Sequence, residues 1–243
     1  MSDRRMAPLP THYVQLSDLK MAYCEAGNGP NLLFLHGNSE SKRIFSRFQT
    51  EFFTDFHTFA LDSRGHGESQ SVDSTLSIPQ FCEDVIHFCE AKGIQRASLV
   101  GYSDGGNIAL LLAKNAPQLF ERIIAISPNY LASGTDEKTL RLFQRKQRRW
   151  TALNRLGLPV KKIIMRYDLM LSDIGITTEE LRRIQTGMKI LYAEKEMIKP
   201  EHIQEIAALI PGADLEEIAG CTHMNILKQQ RTVEAIRQYL TDK

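Results

Sequence analysis

The chain has 243 residues, of which 42% are hydrophobic, and a formal net charge of +1. A chain of this length buries one large core or two small ones, and its near-neutral charge gives no reason to expect nucleic acid or a charged membrane as a partner. No apolar run approaches the length that spans a bilayer, so stable membrane insertion is not expected. The cysteines show no C-x-x-C spacing, and the first residues, MSDRRMAPLP, lack the apolar run of a signal peptide, so we expect a cytoplasmic protein with free thiols.

Short β-rich runs alternate with helical patterns along the chain. The predicted strands are residues 12–16, 21–24, 31–35, 58–61, 97–102, 122–126, 189–193 and 215–219. The predicted helices are residues 42–56, 78–92, 105–115, 201–209 and 226–240. Alternation of this kind predicts an α/β fold with a mostly parallel sheet and helices on both of its faces.

The alternation stops at residues 129–186, where helical spacing takes over. We interpret this segment as a small helical cap inserted into a core formed by residues 1–128 and 187–243. Within it, residues 138–166 contain many lysines and arginines and no acidic residue, while apolar residues recur at near-helical spacing. The basic face of such an amphipathic helix is either solvated or attracts an anionic substrate or a membrane surface.

Aromatic residues of the cap offer a candidate substrate pocket. They are Phe143, Trp150 and Tyr167. Packing of these rings in a core is an equally good interpretation.

A strand passes into a helix through the sequence Gly-Tyr-Ser-Asp-Gly. Glycines at positions 101 and 105 let the chain turn sharply and let the helix pack closely, which lifts Ser103 above the sheet. The motif alone is a weak signal, but a strand before it and a helix after it make it much stronger. Ser103 is therefore the candidate nucleophile, and it needs a base and a cradle for negative charge.

Two backbone N–H groups are predicted to form that cradle, or oxyanion hole. One belongs to Asn38, which follows Gly37 at the end of a buried strand, and the other to Asp104 at the start of the helix after Ser103. The carboxylate of Asp104 faces either outward or into the pocket. In the pocket it would favour substrates with an ammonium group near the scissile carbonyl.

Metal chemistry is not expected. Cys82, His87 and Cys89 are close in sequence, but the two cysteines share a helix face with apolar neighbours while the histidine points elsewhere. Zinc-ligand spacing is absent, so we interpret these residues as packing.

Four stretches, LFLHGN, LDSRGHGES, LVGYSDGG and GCTHM, together resemble the α/β-hydrolase fold family in their order and intervals. The resemblance covers nearly the whole chain, and the cap least. It implies a core sheet of about eight strands and a triad of serine, acid and histidine in that chain order. It also implies that the base is His223, on a loop after the last predicted strand.

The acid of the triad departs from the usual family pattern. After the strand at residues 189–193 the family usually has a glycine, two variable residues and an aspartate, whereas this chain has Ala193, Glu194, Lys195 and Glu196. Glu196 is therefore the predicted acid, because a glutamate can orient an imidazole as an aspartate does. Glu194 is its rival, and an acid elsewhere in the chain is the third possibility.

These residues predict a serine hydrolase that cleaves a small carboxylic ester through an acyl-enzyme intermediate, with a triad of Ser103, His223 and Glu196. A hydrolase of carbon–carbon bonds, a lactonase or a thioesterase would need the same three residues. A non-catalytic ligand-binding protein of this fold is the remaining alternative. Such proton chemistry needs no cofactor, and the oligomeric state is not predicted.

Overall fold

A single sheet organises the computed structural model, which describes residues 8–71 and 76–242. Its strands are β1 His12–Gln15, β2 Leu19–Ala26, β3 Asn31–Leu35, β4 His57–Leu61, β5 Gln70–Ser71, β6 Ala97–Tyr102, β7 Phe120–Ile126, β8 Gly187–Lys195 and β9 Asp214–Thr222. Eight of them follow the order β1-β2-β4-β3-β6-β7-β8-β9, and β5 pairs with β2.

The sheet is parallel from β4 to β9 and antiparallel only where β2 pairs with β1, β4 and β5. The predicted α/β class and mostly parallel sheet are confirmed, and all eight predicted strands are present. The two-residue strand β5 was missed because it is too short to show an alternating pattern. Parallel pairing brings the carboxyl ends of β3, β6, β7, β8 and β9 to one edge.

Helices cover both faces of the sheet. They are α1 Ile78–Ala91, α2 Asp104–Asn115, α3 Glu137–Arg155, α4 Lys161–Met170, α5 Thr178–Arg182, α6 Pro200–Leu209 and α7 Gln230–Thr241. The first helix begins with Pro79 in its first turn and Ser77 as its N-cap, whose side chain accepts a hydrogen bond from the Gln80 amide. Both features favour a helix start.

Two hydrophobic clusters fill the space between sheet and helices. In the central strand β6, Leu99 belongs to one cluster and Val100 to the other, as expected when a strand is buried on both faces. Helices α1, α2 and α6 pack in the first cluster and α7 in the second. Truncation of a fully buried side chain such as Phe34 to alanine would cost about 3–5 kcal/mol.

The prediction of one continuous helix at residues 42–56 is wrong. The chain instead makes a 3-10 turn at Lys42–Phe45 and a π-type turn at Phe48–Phe52. The reason is tertiary: the Lys42 ammonium, which is buried, is held by Asp62 at 2.7 Å. A second predicted helix starts later than expected, because a 3-10 turn, His223–Lys228, precedes α7.

The segment at residues 129–186 has two parts. Helix α3 contains no buried residue and packs against α4. Helix α5 instead packs on α2 and α6, and its Leu181 is fully buried in the core. The division of the chain into a core and a separate cap domain stays a prediction.

Among the described helices, none combines the length and apolar character needed to cross a membrane.

Candidate active site

Ser103 occupies a sharp turn between β6 and α2. Its φ of 54° and ψ of −116° are unusual for a residue with a side chain and store backbone strain. A Cβ on Gly101 would lie 2.1 Å from the Gly105 carbonyl oxygen, and one on Gly105 would lie 2.1 Å from the Leu35 oxygen. Only glycine fits at these two positions, so the motif forces the turn that presents the serine hydroxyl at the edge of the sheet.

His223 approaches Ser103 from the end of β9. Its Nε2 lies 3.1 Å from Ser103 Oγ, and its side chain is nearly buried. The Tyr102 hydroxyl donates a hydrogen bond of 2.8 Å to the His223 carbonyl, while Thr222 and Asn225 form a capping box around the turn. Hydrogen bonds to the backbone around His223 therefore fix the turn that places its imidazole next to Ser103.

Glu196 lies behind His223, just after β8. His223 Nδ1 makes a short hydrogen bond to Glu196 Oε1, which also accepts from the Met197 amide at 2.7 Å. Ser127 Oγ donates to the other oxygen at 2.5 Å. Burial by itself would raise the pKa of Glu196, but its contacts with His223, Ser127 and Met197 outweigh burial and lower it. The carboxylate is therefore charged where it meets the ring.

The rival acid has a different position. Glu194 is exposed, and its Oε2 accepts a hydrogen bond of 2.7 Å from the Gly220 amide. The structure thus brings Ser103, His223 and Glu196 together and leaves Glu194 outside the group.

The two residues predicted for the oxyanion hole lie on either side of Ser103. A Cβ on Gly37 would lie 3.0 Å from Ser103 Cβ, so the loop that carries Asn38 runs directly beside the serine. Asp104 is the first residue of α2, where N–H groups lack partners within the helix and the helix dipole is positive. The two residues thus lie next to Ser103 in the chain or in space, and their role as an oxyanion hole stays a prediction.

Asn38 also links the core to α4. Its Nδ2 donates to Asp104 Oδ2 at 3.0 Å and to the Arg166 carbonyl at 3.1 Å. Arg166 in turn donates to the Gly65 carbonyl at 3.1 Å. The position of the Asn38 loop is thus tied to helix α4.

A cavity of about 220 Å³ opens above Ser103. Residues of the core and residues of helices α3 and α4 both line it. The core side includes Asn38, Glu40, Asp104, Asn107 and Asn129, and the helical side includes Phe143, Leu169 and Met170. The cavity touches both the serine and the histidine, so a substrate bound there would meet the reacting groups.

Of the three candidate pocket aromatics, Phe143 lines this cavity, whereas Trp150 and Tyr167 are not among its lining residues. Trp150 lies two helical turns beyond Phe143 on α3, roughly 10 Å along the helix, which removes it from the cavity wall. Tyr167 packs behind Phe143, with ring centroids 6.2 Å apart. Tyr167 therefore contacts a lining residue without lining the cavity itself.

Two carboxyl groups give the cavity its charge. Burial raises the pKa of Asp104 to about 6, although the Asn38 hydrogen bond opposes this shift. Burial also raises the pKa of Glu40, whose Oε2 accepts from the Gly37 amide at 3.1 Å. Among the described residues that line the cavity, none is a lysine or arginine. Asp104 is buried at the cavity rather than turned outward to solvent.

Sequence reasoning missed Ser127 and Glu40. Ser127 follows the buried strand β7, the neighbour of β8, and a polar residue at that edge was the available signal. Glu40 comes two residues after Asn38, in the loop that follows β3.

The described residues contain no group of three or more His, Cys, Asp or Glu side chains that could hold a metal ion. Cys82 and Cys89 are buried in a hydrophobic cluster, which agrees with their interpretation as packing residues.

Comparison with known proteins gives consistent results. Residues 30–172 match the sequence profile of the α/β hydrolase fold. An uncharacterized protein of Mycobacterium tuberculosis is 27% identical over 124 residues, which are 51% of this chain and 36% of that protein. The 2-(acetamidomethylene)succinate hydrolase of Mesorhizobium japonicum is 27% identical over 113 residues, 46% of this chain and 41% of that enzyme. The chain thus spans less than half the length of these relatives.

Among solved structures, carboxylesterase CesB from Bacillus subtilis aligns with a TM-score of 0.79 at 20% identity, covering 97% of this chain and 93% of that chain. At this identity the likeness shows a shared fold.

Proposed function

Because the chain belongs to the α/β-hydrolase fold family, we propose that it is a serine hydrolase that cleaves small carboxylic esters through an acyl-enzyme intermediate. The observation that carries the proposal is the position of His223. Its Nε2 lies 3.1 Å from Ser103 Oγ, while its Nδ1 is hydrogen-bonded to the buried Glu196. A serine, a base and an orienting acid in line are the arrangement that activates a hydroxyl.

In the first half of the reaction, Ser103 Oγ attacks the ester carbonyl as His223 Nε2 takes its proton. Glu196 keeps the Nδ1 proton on the ring and stabilises the imidazolium that forms. The imidazolium then gives its proton to the leaving alcohol, which produces the acyl-enzyme. In the second half, His223 deprotonates a water molecule, the water attacks the acyl group, and the acid is released.

The backbone N–H groups of Asn38 and Asp104 are proposed to bind the oxyanion of each tetrahedral intermediate. Loss of one such donor from a known serine hydrolase costs about 2.7–4 kcal/mol of transition-state stabilisation. A buried carboxylate on Asp104 opposes that negative charge, and the Asn38 side-chain amide beside it reduces the opposition.

The charge of the cavity suggests which esters fit. Asp104 and Glu40 place carboxyl groups in its lining, and the described lining residues supply no lysine or arginine to balance them. Neutral esters and esters with an ammonium group are therefore favoured over esters whose acyl part is anionic.

A fluorophosphonate probe tests the proposal directly. The native protein should be labelled, and mass spectrometry should place the label on Ser103, while Ser103→Ala should not react. Ser172→Ala is the matched control, because Ser172 lines the same cavity but its hydroxyl donates to the Asp168 carbonyl. This variant should be labelled normally.

Failure of the folded native protein to react would favour a non-catalytic binding protein instead. If the native protein is labelled, its activity should then be measured on esters, lactones, thioesters and diketones of matched size. Turnover of a diketone or lactone with no turnover of esters would overturn the ester assignment while keeping the triad.

A further inference from the structure

Helices α3 and α4 form a hairpin whose outer surface is strongly basic. We call this surface the basic face; its residues are Arg145, Lys146, Arg148, Arg149, Arg155, Lys161 and Lys162, all of them exposed. No acidic residue occurs from position 138 to position 167. Within the part of the chain that the structure describes, none of the seven forms an ion pair with a carboxylate. The face therefore has positive charge that nothing in the described chain neutralises.

The loop between the two helices exposes apolar side chains. Leu156 is 77% exposed and Leu158 is 42% exposed, and they are two of the four large hydrophobic side chains exposed in the described residues. We call these two residues the leucine tip. Single exposed leucines are ordinary on a protein surface, but two in one short loop between Arg155 and Lys161 form a local amphipathic surface.

The base of the hairpin lines the cavity, whereas its tip lies far from the cavity. Phe143 of α3 and Leu169 of α4 line the cavity at the base. Leu156 lies 13 residues beyond Phe143 in the sequence, so at a rise of 1.5 Å per residue the tip is roughly 20 Å away along α3. No residue of α3 is buried, which leaves the outer side of the hairpin open along its whole length.

We propose that the leucine tip and the basic face dock this hairpin on a bilayer surface that contains anionic phospholipids. Apolar side chains that enter the headgroup region, together with cations that meet lipid phosphates, are the two contributions that hold a protein at such a surface. An acidic protein partner would account for the cations but not for the exposed leucines. The proposal goes beyond the proposed hydrolase activity, because docking requires neither Ser103 nor turnover.

Docking has a consequence for the site, because Phe143, Leu169 and Met170 at the base of the same hairpin line the cavity. A hairpin held at a lipid surface by its tip keeps the cavity within roughly 20 Å of that surface.

Vesicle sedimentation of the full chain tests the proposal. Vesicles of phosphatidylglycerol and phosphatidylcholine in equal parts should bind the protein at least about tenfold more tightly than pure phosphatidylcholine, since each cation near an anionic surface strengthens binding about fivefold. The double variant Arg148→Glu/Arg149→Glu should weaken binding to the anionic vesicles at least about tenfold. The matched control, Arg182→Glu/Arg183→Glu at the C-terminal end of α5, changes net charge equally at exposed positions outside the hairpin and should bind as the native protein does.

A second variant separates lipid from protein as the partner. Leu156→Ser/Leu158→Ser keeps every charge and should also weaken vesicle binding about tenfold. The proposal is overturned if anionic vesicles bind no better than neutral ones, or if the α5 control loses as much binding as the α3 variant. It is equally overturned if the leucine variant binds anionic vesicles as tightly as the native protein does and polyglutamate releases the protein from them, because an acidic protein surface would then be the partner.

The outcome is independent of the proposed hydrolysis. Ser103→Ala should bind vesicles as the native protein does, so absence of esterase activity would leave the docking result intact. The α3 charge variant should hydrolyse a water-soluble ester at the native rate, because neither substituted arginine lines the cavity.

Discussion

The two sides of the cavity are built in different ways. On the core side, Ser103, His223 and Glu196 each follow the end of a strand of the sheet, and their side chains are fixed by hydrogen bonds to one another. On the opposite side, Phe143 belongs to a helix with no buried residue. The difference teaches that the proposed reacting groups lie at the ends of strands of the central sheet, whereas part of the surface proposed to bind the substrate belongs to a helix with no buried residue. Substitutions on the core side should therefore change the rate of the chemical step, and substitutions on the helical side should change substrate binding.

The largest effect is expected at Ser103. Ser103→Ala removes the proposed nucleophile and should lower kcat for an ester on the order of a million-fold, as loss of a triad member does in subtilisin. Far-ultraviolet circular dichroism should show an unchanged fold, since alanine removes only an oxygen at the cavity. Retention of a few per cent of the activity would show that the nucleophile lies elsewhere.

The next effect separates the two candidate acids. Glu196→Gln should slow single-turnover acylation about ten-thousand-fold, because the amide no longer stabilises the imidazolium and favours the wrong ring tautomer. Glu194→Gln makes the same chemical change on an exposed side chain outside the triad and should acylate at a nearly native rate. A slow Glu194→Gln variant beside a normal Glu196→Gln variant would reverse the assignment.

The core side of this comparison was largely predictable from sequence. Buried parallel strands read as continuous apolar runs, and a Gly-x-Ser-x-Gly turn between strand and helix has few other structural meanings, so β6, α2 and the position of Ser103 followed directly. The placement of His223 came from resemblance to a family. Its contact with Glu196 depends on two loops whose bends no local pattern encodes.

The helical side was less predictable for a physical reason. Helical periodicity shows which residues share a face, but it does not show how far along a helix the cavity extends, and this is why Trp150 was placed in the pocket. Likewise, the 3-10 turn at Lys42–Phe45 begins at a residue whose amide and ammonium groups both donate to Asp62, 20 positions further along the chain. Tertiary contacts of this kind override local propensity.

The burial of Asp104 on the core side can be tested through the free energy of unfolding rather than through a reaction rate. Its folded-state pKa of about 6 lies roughly 2 units above the ordinary value of about 3.9, so the unfolded chain loses this proton at lower pH than the folded chain does. The contribution of Asp104 to the free energy of unfolding should therefore fall as pH rises through this window, by up to about 3 kcal/mol, and stay level above it. Asp104→Asn does not titrate there, so its free energy of unfolding relative to the native protein should rise by that amount between pH 3.5 and pH 7.

Denaturant titrations at the two pH values measure this change, and Asp168→Asn, the same substitution at an exposed position, is the control. An equal change in both variants would mean that burial of Asp104 has no electrostatic consequence. Asp104→Asn should also lower the rate on amino-acid esters relative to neutral esters, and an unchanged ratio would remove Asp104 from substrate recognition.

The smallest effect is expected on the helical side, at Phe143. Phe143→Ala removes apolar contact with the substrate without touching the triad, so KM for an ester with a bulky apolar group should rise about tenfold while kcat changes little. Trp150→Ala deletes a larger ring from the same face of α3, two turns beyond the cavity, and should leave KM near its native value. Steady-state kinetics of both variants on one ester decide the matter. If the two substitutions raise KM equally, α3 acts through its general packing rather than through contact at the cavity. If Phe143→Ala lowers kcat at constant KM, the helical side takes part in the chemical step, and the division between the two sides of the cavity is wrong.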